Sequence, residues 1–143
     1  MTYEVSVFLE NKPGRVEKVT AVLSEHAINI RSLHLNHTAN GWGILNLVVS
    51  DPELAQSKLI AAGMSAALRE IVVLRMADRS GGLDTLLKAV VAAGVSFTNA
   101  YGRVVSDGES AFFAIDVAEI PDARRKLEGV GLEIIPDRLV YGA

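Results

Sequence analysis

The chain has no cysteine. Disulfides, thiol nucleophiles and cysteine-ligated metals are therefore excluded, and the composition fits a reducing compartment. A basic excess is missing too. Fourteen Lys and Arg against 17 Asp and Glu leave a formal charge of −3, whereas a nucleic-acid surface needs a basic face. No apolar run approaches the roughly 20 residues of a membrane helix. No basic segment followed by an apolar stretch precedes the first strand pattern, so a soluble, cytoplasmic protein is expected. Phosphate-binding loops, H-E-x-x-H, calcium loops and G-x-G-x-x-G are all absent. The only histidines are His26, His34 and His37. His34 and His37 differ in parity and face opposite sides of a strand, so no metal site is expected from them. The acids and lysines read as solvated charge, with no pair set for acid–base chemistry. Neither a catalytic residue nor a cofactor is expected.

What the chain does have is a duplication. Val16, Val19, Thr20, Leu23 and Ala27 recur as Leu83, Leu86, Leu87, Val90 and Gly94, at a constant offset of 67 positions. The same offset carries Lys12-Pro13-Gly14 onto Arg79-Ser80-Gly81 and Asn40-Gly41 onto Asp107-Gly108. A long period present twice marks a duplicated domain; a solenoid needs three or more shorter units. Half of the 143 residues are hydrophobic, enough for a real core, but units of about 70 residues are marginal alone. The boundaries expected are 1–69 and 70–143, with no flexible linker between them.

Hydrophobic periodicity orders the elements. Tyr3, Val5, Val7 and Leu9 alternate with Glu4, Ser6 and Glu10, with Phe8 the exception, as a strand with one buried face. Positions 16, 19, 20, 23 and 27 stripe a helix. A strand from about Ile28 slips its apolar phase between Ile30 and Leu33, which a bulge explains. Asn40-Gly41 signals a hairpin turn, and Leu45, Leu47 and Val49 return. Asp51-Pro52 starts a second helix as N-cap and first helical residue, and Met64–Leu68 closes the unit as a strand. In the second copy, strands are expected at Glu70–Met76, Val95–Val105 and Phe112–Val117, with a turn at Asp107-Gly108. Helices are expected over Leu83–Ala93 and on the stripe Ile120, Ala123, Leu127 and Val130. A last strand is expected within Leu132–Tyr141, broken by Pro136. The order β-α-β-β-α-β, twice, predicts a mixed α/β (α+β) protein of two ferredoxin-like units, each an antiparallel sheet with both helices on one face.

The loops after the first strand of each copy carry the chemistry. They read Glu10-Asn11-Lys12-Pro13-Gly14-Arg15 and Ala77-Asp78-Arg79-Ser80-Gly81-Gly82. Each ends at a helix start, where backbone N–H groups lack partners and the dipole is positive. A glycine there lets a carboxylate or phosphate reach the backbone; a plain tight turn explains the same residues. Asn29, opening the second strand, is placed to receive an ammonium group, or else simply ends the helix in a left-handed conformation.

These runs, Asn11–Val16 with Ala27-Ile28-Asn29-Ile30 and Asp78–Leu83 with Ala93-Gly94-Val95-Ser96-Phe97, resemble the ACT domain. The resemblance covers almost the whole chain as two copies and is similar to small tandem-ACT proteins without a catalytic domain. It implies a regulatory, allosteric protein that binds a free amino acid and is no enzyme. It also implies two units side by side in a continuous eight-stranded sheet, ligands at the seam, and a homodimer. On this resemblance Asn11, Lys12, Pro13, Gly14, Arg15, Val16, Asn29 and Ile30 form one site, with the ligand carboxylate near Gly14 and its ammonium at Asn29. Asp78, Arg79, Ser80, Gly81, Gly82, Leu83, Ser96 and Phe97 form a weaker one, since Ser80 and Ser96 replace the proline and the asparagine.

Rival readings remain open. A catalytic partner protein is implied if the chain is the regulatory subunit of an amino-acid biosynthetic enzyme such as acetolactate synthase. An acylphosphatase-like enzyme would use Arg15 for phosphate, but that family's glutamine-glycine loop is missing. An RNA-recognition domain shares the element order, yet Phe112 and Phe113 are neighbours that face opposite sides, and the basic-aromatic signature is absent. Neither nucleic acid nor membrane is expected as a partner. The role of Trp42, beside the hairpin turn, is open.

Overall fold

The structure, a computed structural model, describes residues 1–38, 40–105 and 108–142. The expected turn residue Asp107 lies outside them. The elements are β1 (Thr2–Glu10), α1 (Arg15–Glu25), β2 (Ile30–His37), β3 (Trp42–Val49), α2 (Pro52–Ala61), β4 (Ser65–Ala77), α3 (Gly82–Ala92), β5 (Asn99–Val104), β6 (Ser110–Asp116), α4 (Ile120–Gly129) and α5 (Asp137–Val140). They fall into two compact units. One holds Tyr3–Arg69 with the residues from Arg138 on; the other holds Met1–Thr2 with Glu70–Asp137. No helix among the described residues is long and apolar enough to cross a membrane.

In the first unit the strand order is β2-β3-β1-β4, with β1 and β2 both antiparallel to β3. The register of β2 on β3 shifts between Ile30 and Ser32, the irregularity that the slipped apolar phase requires. Val5, Val7 and Leu9 meet Leu45, Leu47 and Val49 on one sheet face, and Val19 and Leu23 of α1 with Ala55 and Leu59 of α2 close over them. The opposite face departs from simple alternation: Glu4, Ser6 and Asn46 are buried as well. The Ser6 hydroxyl donates to Asn46 Oδ1 at 2.6 Å, as a polar pair withdrawn from water must. The Asp51 carboxylate accepts from Leu54 N–H at 3.1 Å, so Asp51 is the N-cap and Pro52 the first residue of α2.

In the second unit the order is β4-β6-β5. Val72 and Leu74 join Phe113 and Ile115 under Leu86 and Val90 of α3 and Ala123 and Leu127 of α4. The expected last strand is corrected here. Only Glu133–Ile135 pairs with β4, through Arg75 N–H to Glu133 O (3.1 Å) and Ile135 N–H to Val73 O (2.8 Å), around an isolated antiparallel bridge of Leu74 and Ile134. Pro136 has no N–H to continue a ladder, and the chain turns helical as α5. The strands expected at Met64–Leu68 and Glu70–Met76 are one 13-residue strand, β4. Among the described residues there are thus six strands where eight were expected.

From Arg138 on, the chain packs with the first unit. Tyr3 N–H donates to the Tyr141 hydroxyl at 2.7 Å. Arg31 donates to the carbonyls of Tyr141 (2.9 Å) and Gly142 (2.8 Å). Val140 is buried.

Helices α1, α2, α3 and α4 end alike. In each, an N–H bonds back five residues: Ile28 to Leu23, Met64 to Leu59, Val95 to Val90 and Leu132 to Leu127. This ending requires a left-handed residue just before the donor. Gly63, Gly94 and Gly131 take it at φ 86°, 74° and 84°, but after α1 the residue is Ala27, at φ 55°. Asn29 does not fill this role. A Cβ in this region costs about 1–2 kcal/mol, partly offset by the extra unfolded-state freedom of glycine. Ala27→Gly is expected to stabilise the protein by roughly 0.5–1 kcal/mol, read as a higher midpoint in urea at unchanged slope.

Candidate functional site

The loop between β1 and α1 is held by its own backbone. Asn11 N–H donates to Gly41 O in the neighbouring hairpin turn at 2.7 Å, Lys12 N–H to Glu10 O at 2.8 Å, and Arg15 N–H to Lys12 O at 3.4 Å. Gly14 is the N-cap, at φ 82°, and no side chain caps the helix. The start of α1 therefore keeps its positive end without a resident oxygen from a side chain. Beside it lies a hollow of about 420 Å³ lined by all of Asn11–Val16, by Glu17, and by Leu35 and His37 of β2.

Lys12 Nζ lies 2.8 Å from Glu10 Oε2. The hydrogen bond and charge of Lys12, with a smaller contribution from Arg15, hold the Glu10 carboxyl below the ordinary glutamate range. Replacing Lys12 by Met removes the leading cause. The Glu10 pKa is then expected to rise toward its ordinary value, which a carboxyl NMR titration reads directly. The sign follows from the charged form: Lys12 stabilises the carboxylate, so its loss makes protonation easier.

The structure brings six of the eight residues expected in the first site together and sets two apart. Asn29 and Ile30 follow the far end of α1, whose 11 residues span about 16 Å. Asn29 is tied there to Ser50: its N–H donates to Ser50 Oγ, and its carbonyl accepts from Ser50 N–H, both at 2.9 Å. Within one unit the loop and Asn29 do not line one hollow. Leu35 and His37 take that place. Their signal was available: after the bulge, odd positions of β2 share the face of Leu45, opposite Leu35, and His37 extends that face toward the loop.

The second loop repeats the backbone arrangement. Asp78 N–H donates to Glu109 O at 2.9 Å and Gly82 N–H to Arg79 O at 3.0 Å, and Gly81 is the N-cap at φ 84°. Where the first loop carries the Arg15 side chain, the second has Gly82, whose absent Cβ would lie 2.1 Å from the Ala77 carbonyl oxygen. Asp78, Arg79, Ser80 and Leu83 remain at the α3 start. Ser96 lies beyond the far end of α3, beside a hollow of about 200 Å³ shared with Asp122 and Lys126. The Asp122 carboxyl is held low chiefly by a hydrogen bond from Lys126. Phe97 packs its ring edge-on against Phe113, centroids 6.1 Å apart, so it serves the packing of its own unit.

A family model described as an ACT domain pair matches residues 1–128; the chain belongs to this family. No curated protein matches the sequence. Among solved structures, protein BT0572 from Bacteroides thetaiotaomicron is 26% identical, with a TM-score of 0.90 over 99% of this chain and 96% of that one. The ligand-free regulatory subunit of aspartate kinase from Thermus thermophilus is 16% identical, with a TM-score of 0.63 over 90% and 92%. The corresponding subunit from Thermus flavus is 15% identical, with a TM-score of 0.58 over 90% and 91%. The last two likenesses are of fold.

Proposed function

We propose that the chain is a regulatory, non-catalytic module that binds a free amino acid at the Asn11–Val16 loop. The uncapped start of α1 at a left-handed Gly14, opening on a hollow of about 420 Å³, carries this reading. Helix-start N–H groups suit a carboxylate, and the hollow is within the usual range of small-ligand sites. Leu35 and His37 would face the ligand side chain. Asn29 reaches a ligand at this loop only from a second copy of the chain, so a role for it goes together with a homodimer. Gly82, Ser80 and Ser96 stand where the first copy has Arg15, Pro13 and Asn29, which favours one effective site per chain. A cytoplasmic setting fits the proposal.

A thermal-shift screen against the free amino acids tests it. A ligand that binds only the native state raises the midpoint as its concentration passes Kd. One amino acid, or a chemically related few, should do so, and calorimetry should give one site per chain. No shift at millimolar concentration, or two equivalent sites per chain, would overturn the respective part.

A further inference from the structure

A second hollow, of about 340 Å³, is also lined by Arg15. Arg15 is the one residue the two hollows share. Phe8 and Trp42, each 49% exposed, line this one together with Lys18. Glu10 opposes Trp42 and Phe8 opposes Ile44 in the β1–β3 register. Phe8 and Trp42 are therefore diagonal cross-strand neighbours on one sheet face, about 7–8 Å apart at the backbone, within reach of aromatic side chains. Exposure of both rings is a standing cost at a strand end that polar residues would serve equally well.

Arg15 and Lys18 stand three apart on α1, hence on one side of it. Among the described residues neither forms an ion pair, and the nearby carboxylate of Glu10 is engaged by Lys12 at 2.8 Å. Phe8 and Trp42 stand on the sheet face away from α1, Arg15 and Lys18 on α1 itself, and the hollow at the strand end touches all four. Rings and cations around one concavity sized for a small molecule define a ligand by chemistry. The rings offer stacking faces, and the guanidinium offers a fork that matches a carboxylate.

We propose that this hollow binds a small aromatic carboxylate, its ring stacked on Phe8 and Trp42, with its acid group between Arg15 and Lys18. The site is separate from the amino-acid loop, whose hollow neither Phe8 nor Lys18 lines.

Trp42 is the single tryptophan, so its fluorescence reports this hollow alone. Titration of the intact protein with 3-phenylpropionate should change the emission saturably, while propionate and benzyl alcohol at equal concentration should not. Phe8→Ala and Lys18→Glu should each weaken the response roughly tenfold or more, with an unchanged circular dichroism spectrum. A response absent at millimolar ligand, equal for propionate, or unaltered in both variants overturns the proposal. So does emission that follows protein concentration in step with sedimentation, since a second copy would then cover the rings.

Discussion

Gly82→Ala should lower stability by about 3 kcal/mol, the upper end of the range for overpacking, and depress the melting temperature by roughly 10 °C for a chain of this size. Gly81→Ala, one residue earlier, should cost only about 1–2 kcal/mol. The order is the reverse of what backbone angles suggest, because Gly81 is the left-handed residue, at φ 84°. A Cβ on Gly81 meets nothing within 4 Å, whereas a Cβ on Gly82 lies 2.1 Å from the Ala77 carbonyl oxygen. That oxygen is backbone at the end of β4 and cannot swing aside as a side chain tip would. Relief requires α3 to move away from β4, which disturbs Leu86 and Val90 in the core. Paired urea titrations of the two variants decide the matter. Equal midpoints, or a less stable Gly81→Ala, would show that the α3 start gives way freely.

Removing the chain from Arg138 on should cost roughly 3–5 kcal/mol, from the burial of Val140 and the orphaned donors of Tyr3 and Arg31. The loss should be local. Hydrogen exchange should speed in β1 and β2, which hold Tyr3 and Arg31, well before it speeds in β6. Tyr141→Phe isolates one part: it removes the hydroxyl that accepts from Tyr3 N–H, at an expected cost of about 1 kcal/mol. Uniform faster exchange across both units would instead mean that the segment governs global stability.

Much of the fold was legible because its determinants are local. Asp51-Pro52 announces its helix by capping chemistry, the parity slip at Ile30–Leu33 announces an irregular register, and the stripe Val19–Leu23 announces its buried side. The failures share another cause, dependence on distant partners. Glu4 and Ser6 look solvated by alternation, and nothing nearby in sequence shows that their face is covered. Pro136 warned that a strand would break, but not that the following residues would turn helical and pack with the first unit. The site was legible as a loop and not as a constellation. Asn29 is near the loop only in the sense that one helix joins them, and that helix holds them apart. Leu35 and His37, distant in sequence, stand at the hollow because β2, after the crossover through α1, runs back to the loop end of the sheet. The contrast between Arg15 and Gly82 was plain as letters; its meaning needed the position of Ala77.

The residues from Arg138 on are synthesised after the entire second repeat, yet they complete the first. Repeats of this kind would ordinarily mature in the order of their synthesis. Here β1 and β2 emerge early but wait for Tyr141 to occupy Tyr3 N–H and for two late carbonyls to engage Arg31. The first repeat is thus the last to reach its final form, and a nascent polypeptide halted before Arg138 carries an unfinished first repeat however well its second has folded.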